Sequence, residues 1–237
     1  MCLSPPATVT ARPHEQELAA QHRLGAVAPR SWAINVTMAR GSSRALGGLS
    51  EDSLHIFGDV VLIRPYTPDD WDDVWAILER VFRAGETYAF PRDISAARAR
   101  AAWTDSQKLV FVAVDEATGH VLGTYYLKPN FDGAGSHVCN CGYVVCERAR
   151  GKGVASRMCE HSQTEAASRG YLGMQYNLVA STNEGAVRLW KKMGFDIVGT
   201  VPGAFRHPRL GFVDAHIMYK RLGAAAQQAA AADERHR

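Results

Sequence analysis

The run Arg148-Ala149-Arg150-Gly151-Lys152-Gly153-Val154-Ala155 follows an apolar segment, Tyr143-Val144-Val145, and precedes a long stretch of helical periodicity. Glycines at 151 and 153 let the main chain approach an anion without a Cβ in the way. A helix that opens at the end of this run turns its unpaired N–H groups and the positive end of its dipole toward the same point. Arg148, Arg150 and Lys152 add charge at that mouth. The run reads as a backbone cradle for a pyrophosphate, set where a strand passes into a helix.

Working outward, the chain punctuates itself into alternating elements. Val60-Val61-Leu62-Ile63 is a short strand, and Thr67-Pro68-Asp69-Asp70 supplies a capping residue, a proline at the first helical position and acids in the first turn. The helix that follows to Arg83 carries Trp71, Val74, Trp75, Leu78 and Phe82 at spacings of three and four, the mark of one buried face. A loop, Gly85 to Pro91, leads to a second helix over Ser95–Trp103. Three strands come next, Leu109–Val114, Val121–Leu127 and His137–Val145, with turns at Thr118-Gly119 and Asp132-Gly133. The helix after the glycine run extends to Arg169, where Gly170 suits a left-handed cap. Met174–Val179 is a fifth strand, Asn183 caps a fourth helix ending at Met193-Gly194, and Ile197–Thr200 and Phe212–Tyr219 complete the sheet.

Composition bounds what such a chain does. With 237 residues, 46% apolar and 22% charged, it can bury one full core, and a formal charge of +3 spread along the chain does not suggest a nucleic-acid partner. No run of 18 apolar residues suggests a membrane span. Five cysteines, three of them at Cys139, Cys141 and Cys146, read as reduced thiols of a cytoplasmic protein, and without a Cys-x-x-Cys pair no metal site is expected. Residues 1–57 read as a disordered or targeting-like extension. They contain Arg12, Arg23, Arg30, Arg40 and Arg44 against only Glu15 and Glu17 before residue 50, a bias of organelle transit peptides. A non-functional extension, or a start at Met38, fits them equally. Residues 223–237 read as an Ala/Gln-rich tail without chemistry.

The glycine run alone leaves several phosphate-binding folds open. A dinucleotide fingerprint needs a third glycine and a Walker loop needs Gly-Lys-Ser/Thr, and both are absent. Arg148-x-x-Gly151-x-Gly153 instead resembles the acyl-CoA pyrophosphate motif of the GNAT superfamily of N-acetyltransferases, and Asn183-x-x-Ala186-x-x-Leu189-Trp190-x-x-x-Gly194-Phe195 resembles its second signature. The likeness covers residues 58–222. It implies an α/β fold: a mixed, mostly antiparallel seven-stranded sheet with splayed strands four and five, flanked by about four helices. It also implies acetyl-CoA as co-substrate, and a homodimer as a common assembly. Arg148, Arg150, Gly151, Lys152, Gly153, Val154, Ala155 and Asn183 would then hold the CoA, with its pantetheine laid along the backbone of Tyr143 and Val145 like an added strand.

Two asparagines stand in strands where β-branched residues are usual, Asn140 in Val138–Tyr143 and Asn177 in Gln175–Val179. Their setting, with Gly199–His207, is similar to the GNAT branch that includes the fungal acetyltransferases for proline analogues such as azetidine-2-carboxylate. That likeness implies that Asn140 and Asn177 hold an amino-acid substrate. No glutamate falls on strands four or five to act as base, so water relayed through Asn140 or Asn177 is the expected route for the amine proton. Alternation puts Asn140 and Tyr143 on opposite faces, so both serve the wedge only if a bulge intervenes, for which Gly142 is the candidate. The position of the family's usual proton-donating tyrosine holds Trp190, whose indole donates a hydrogen bond but no proton; a thiolate of pKa about 8.5 can leave unassisted. Trp190 reads as a packing residue that also lines the pantetheine arm. An acyl-cysteine route through Cys139 or Cys141 lacks an activating partner.

Two segments are expected to receive the acceptor: Gly85–Arg92, with Tyr88 and Phe90, and Phe205–Phe212, with Phe205, Arg206 and His207, its arginines reading a carboxylate. The acceptor is a small amine or amino acid on this reading. A peptide or protein N-terminus, which would need an open groove, and a non-catalytic acyl-CoA binding module are the alternatives.

Overall fold

The computed structural model describes residues 61–223; the extension read over 1–57, Val60 of the first expected strand and the tail beyond Gly223 lie outside the described residues. Among the described residues seven strands and four α-helices follow in the expected order. They are β1 (Val61–Pro65), α1 (Trp71–Ala84), α2 (Ala96–Trp103), β2 (Leu109–Asp115), β3 (Val121–Pro129) and β4 (Val138–Val145), then α3 (Val154–Ser168), β5 (Gly173–Ala180), α4 (Glu184–Lys192), β6 (Asp196–His207) and β7 (Gly211–Arg221). The strands form one sheet in the order β1-β2-β3-β4-β5-β7-β6. Every pair is antiparallel except β4–β5, which is parallel.

Each face of the sheet buries its own helices. On one face Val74, Leu78 and Phe82 of α1 and Trp103 of α2 pack on Val112 and Val144. On the other, Met158 of α3, Trp190 of α4 and Phe195 pack on Tyr125, Met174 and Met218. Fully burying side chains of this size stabilises by roughly 1.5–3 kcal/mol each. The indole N–H of Trp103 donates to Thr124 Oγ1 (3.2 Å), and that hydroxyl donates to the Phe111 carbonyl (2.9 Å), so the large ring leaves no buried polar atom unpaired. Ahead of α1, Asp70 accepts from Arg64 (2.6 and 2.8 Å) and from the Thr67 N–H (2.7 Å), and the Arg64 guanidinium lowers its carboxyl to about 2. Thr67 therefore caps a 3-10 turn, Pro68–Asp70, and the α-helix proper opens at Trp71.

The largest departure from the sequence reading is β6, which runs to His207 instead of ending at Thr200. Pro202 and Gly203 suggest a loop, but a register shift between Val201 and Phe205 absorbs them. Gly203 takes φ 61°, a left-handed conformation that glycine adopts freely, and its N–H donates to Asp214 Oδ1 (3.0 Å). Because β6 is an edge strand, the N–H that Pro202 lacks needs no partner.

Candidate active site

β4 and β5 pair through their backbones at only two positions, Val138–Gly173 and Cys139–Met174, and then part. The opening is set from β5. Between Tyr176 and Val179 this strand carries a bulge against β7, which leaves Asn177 and Leu178 exposed. The β3–β4 register is unbroken from Cys139 to Val145, so Gly142 marks no bulge. It is a glycine for a steric reason: a Cβ there would lie 2.6 Å from Cε1 of Tyr126. Asn140 and Tyr143 accordingly sit on opposite faces, and the wedge is used from both sides.

The main chain of β4 supplies the inner wall. Cys146 donates to Leu122 O (2.8 Å) and Asn130 donates to Val138 O (2.8 Å), so the even-numbered residues of β4 bond to β3. Alternation then directs the backbone groups of Cys141, Tyr143 and Val145 into the wedge. One of them is already engaged, since the Tyr88 hydroxyl donates to the Tyr143 carbonyl at 3.1 Å. The Tyr88 ring is held by Phe82, Phe90 and Trp103 at centroid distances of 5.7, 6.2 and 5.8 Å.

At one end of the wedge lies the glycine run. Gly151 and Gly153 have φ of 76° and 79°, and nothing stands within 4 Å of where a Cβ would be. Glycine is required there by conformation and leaves open space over the main chain. Gly153 is the N-cap of α3 and offers no side-chain cap, and the first intrahelical bond is Arg157 N–H to Gly153 O (3.1 Å). The N–H groups of Val154, Ala155 and Ser156 thus face outward. α1 and α4 carry acids in their first turns and α2 is capped by the Ser95 hydroxyl, whereas α3 has neither, which leaves its positive pole for an external anion.

A cleft of about 1120 Å³ follows this wedge. Among the residues expected to bind CoA, Tyr143, Val145, Arg150, Gly151, Gly153, Val154, Ala155, Asn183 and Trp190 line it, while Arg148 and Lys152 do not. Asn183 Oδ1 accepts from Ala186 N–H (3.3 Å), so the residue caps α4 and lines the cleft at once. Trp190 is buried against Tyr143 and Tyr176, with ring centroids 5.0 and 5.1 Å away. Beneath these rings Tyr143 OH bonds Ser162 Oγ (2.7 Å) and Tyr176 OH (3.1 Å). Burial pushes the hydroxyls of Tyr88, Tyr143 and Tyr176 well above the usual phenol range and raises Tyr126 to about 12. All four stay protonated at neutral pH and serve as hydrogen-bond donors. Burial likewise raises the Cys141 thiol, so a nucleophilic thiolate is disfavoured there.

On the α1 and α2 side, Tyr88, Phe90, Asn140 and Asn177 line the cleft. Asn140 Nδ2 donates to Gln175 O at 2.8 Å, bridging to β5 just past the last backbone pair, so its carboxamide holds the apex of the wedge. Asn177 Nδ2 donates to Asn130 Oδ1 (2.6 Å), and Asn177 Oδ1 accepts from Gln175 Nε2 (2.9 Å). Both asparagines are thus partly committed to protein partners. Phe205, Arg206 and His207 are not brought to the cleft, because they continue β6 in place of a loop. Phe205 is buried, Arg206 is exposed, and His207 is buried with Nδ1 accepting from the N–H groups of Arg209 and Leu210, which shapes the β6–β7 turn. From that turn Arg209 reaches Glu86 (2.8 Å), whose loop lines the cleft. Lys128 and Tyr126 are lining residues that the sequence reading passed over. The expected strand stopped at Leu127, two residues short, although Thr124, Tyr126 and Lys128 continue its alternation.

The Acetyltransferase (GNAT) family model matches residues 71–195, more than half of the chain. A GCN5-related N-acetyltransferase from Kribbella flavida is similar over 68% of this chain and 98% of its own, at 37% identity and a TM-score of 0.65. N-acetyltransferase aca1 of Schizosaccharomyces pombe is 34% identical over 110 residues, 46% of this chain and 52% of that protein, so the match spans about half the length of this curated relative. A GNAT superfamily phosphinothricin acetyltransferase from Sinorhizobium meliloti, solved in complex with AcCoA, is 18% identical at a TM-score of 0.61 over 69% of this chain and 89% of its own, a likeness of fold alone. The parted parallel strands, the uncapped α3 and the two matched signatures agree with these comparisons, and the chain belongs to the GNAT family of acetyl-CoA-dependent N-acetyltransferases.

Proposed function

We propose that this chain moves an acetyl group from acetyl-CoA directly to the amine of a small molecule, an amino acid or proline analogue. The observation that carries the reading is the parting of β4 and β5 after Cys139, which leaves one wedge open from two unlike sides. Main-chain groups and the α3 N-terminus lie on one side, carboxamides on the other. The Arg209–Glu86 pair joins the β6–β7 turn to the loop after α1 that lines the cleft, an arrangement that agrees with a small acceptor. The 34% identity to an N-acetyltransferase of S. pombe agrees with the reaction.

In the reaction the neutral amine attacks the thioester carbon, a C–N bond forms, the C–S bond breaks and the sulfur leaves as thiolate. The chain's part is to orient and to donate hydrogen bonds. The exposed β4 backbone at Tyr143 and Val145 aligns the donor, and the Asn140 carboxamide fixes the wedge in which the two reactants meet. The protonated tyrosines supply no base, so the amine loses its proton to water. Direct transfer is favoured over an acyl-cysteine because Cys139 is fully buried and burial keeps Cys141 protonated.

Thiol release from acetyl-CoA should exceed background hydrolysis with members of a panel of amino acids and proline analogues, and lag with polyamines, aminoglycosides and peptides. CoA binding without turnover on any amine would overturn the reading in favour of a binding module. The kcat/KM profile should track the ionisation of the acceptor amine, and His207→Ala should leave that profile in place.

A further inference from the structure

The acceptor side of the cleft carries one cation that neither the family signatures nor the aromatic loops account for. Four residues with charged side chains line the cleft: Glu86, Lys128, Arg150 and Lys192. Glu86 is taken by Arg209 at 2.8 Å. Arg150 belongs to the glycine run and Lys192 to α4, both on the α3 side of the sheet. Lys128 stands apart from these. It lies on β3 in register with Asn140 of β4, and cross-strand partners share a face, so it looks onto the α1 and α2 side beside Asn140 and Tyr126.

No carboxylate among the described residues lies within ion-pair distance of Lys128, and Lys108 is near enough to feel it as a like charge. Lys108 rests over the Tyr126 ring with Nζ 4.6 Å from the centroid and donates to Ala102 O; burial first, and then Lys128, lower its pKa. Lys108 also feels Asp105 and lies outside the cleft, so among the described residues Lys128 is the cation on this side of the cleft, and the lining acid Glu86 is already paired with Arg209. A half-buried lysine set beside carboxamides in a cleft, without a counter-ion among the described residues, is arranged for an anion that arrives with the ligand.

The neighbouring groups define which anion. Asn140 and Asn177 already spend one Nδ2 proton each on Gln175 O and Asn130 Oδ1, and each has one N–H left. One ammonium and two carboxamide N–H donors match the two oxygens of a single carboxylate. The arginines that the sequence offered for this task are elsewhere: Arg206 is exposed outside the cleft and Arg209 is paired. We infer that Lys128, with Asn140 and Asn177, reads the carboxylate of the acceptor, so that the substrate class is an α-amino or α-imino acid and not a simple amine. This rests on the reading of the cleft as an acetyltransferase site, and it moves the choice of substrate to a residue on β3.

The test pairs each of L-proline, azetidine-2-carboxylate and L-alanine with its carboxamide, in steady-state acetylation and in calorimetric binding to the CoA-loaded protein. The wild type should favour each acid over its amide by about 10- to 100-fold in kcat/KM and in affinity, the value of a charge-assisted contact. Lys128→Met should remove that preference, chiefly by raising KM for the acid, while the amides and the KM for acetyl-CoA stay within about threefold; Lys128→Arg should restore part of the preference. Equal use and equal binding of acid and amide by the wild type would overturn the inference, as would an equal loss for both in Lys128→Met. Absence of turnover on every amine with the acid preference intact in binding would sink the acetyltransferase reading and leave Lys128 as the carboxylate-reading residue.

Discussion

On the α3 side of the wedge the proposed donor contacts are main-chain N–H and C=O groups, those of Tyr143, Val145 and the turn into α3, whereas on the α1 and α2 side the proposed acceptor contacts are the side chains of Asn140, Asn177 and Lys128. A backbone site constrains residue identity mainly through conformation. Gly151 and Gly153 are fixed by positive φ, and most neighbours could change without moving an N–H. A side-chain site constrains identity directly and conformation little, so one fold can hold one donor and exchange its acceptors. The two sides meet at Asn140, a side chain that does backbone work by extending the β4–β5 ladder one step past its last pair.

Gly153→Val should break the first side most. A left-handed β-branched residue costs upward of about 1–2 kcal/mol, and kcat/KM for acetyl-CoA is expected to fall about 10- to 100-fold while the acceptor KM at saturating acetyl-CoA holds. A proportional rise in the acceptor KM would show that the two sides are not separable. Asn140→Leu tests the point where they join. It leaves Gln175 O without its partner, so urea unfolding should register a loss of about 1–3 kcal/mol, with the acceptor KM rising more than that of acetyl-CoA.

Outside both sides, Asp70→Asn removes the charge-assisted bonds to Arg64 and should cost about 1–3 kcal/mol of stability with both KM values unchanged. The sign follows from the depressed carboxyl: its stabilisation is complete above the ordinary value of 3.8 and is lost as pH falls through about 2, which acid titration of unfolding can follow. The smallest effect belongs to the rim. Arg209 is largely exposed, so Arg209→Ala should change stability by no more than about 1 kcal/mol and the acceptor KM by less than about fivefold, an effect that 0.5 M salt should mostly erase.

The same contrast explains what could be read before the fold was known. The glycine run and the Asn183–Phe195 signature are local, since each acts through the backbone of consecutive residues or along one helix, and the spacing survives in the sequence. The wedge residues Tyr143 and Val145 follow from their place just before that run. The acceptor side is assembled from β3, β4, β5 and the loop after α1, and its members lie as far apart as Tyr88 and Asn177. Asn140 and Asn177 were legible because an amide in a strand is conspicuous. Lys128 was not, because a lysine at a strand end looks like any solvated charge until its register with Asn140 is known. Phe205, Arg206 and His207 were misplaced by Pro202 and Gly203, which signal a turn unless an edge strand absorbs them as a bulge.

The sequence by itself determined the order of elements, the helix faces and the glycine turn that opens α3, because capping, periodicity and glycine conformation are properties of short stretches of chain. Only the tertiary structure decided where β5 bulges, why residue 142 must be glycine and which cation stands opposite Asn140. Those depend on how one strand lies against another, and strand register is fixed by packing across the sheet and not by any residue's own preference.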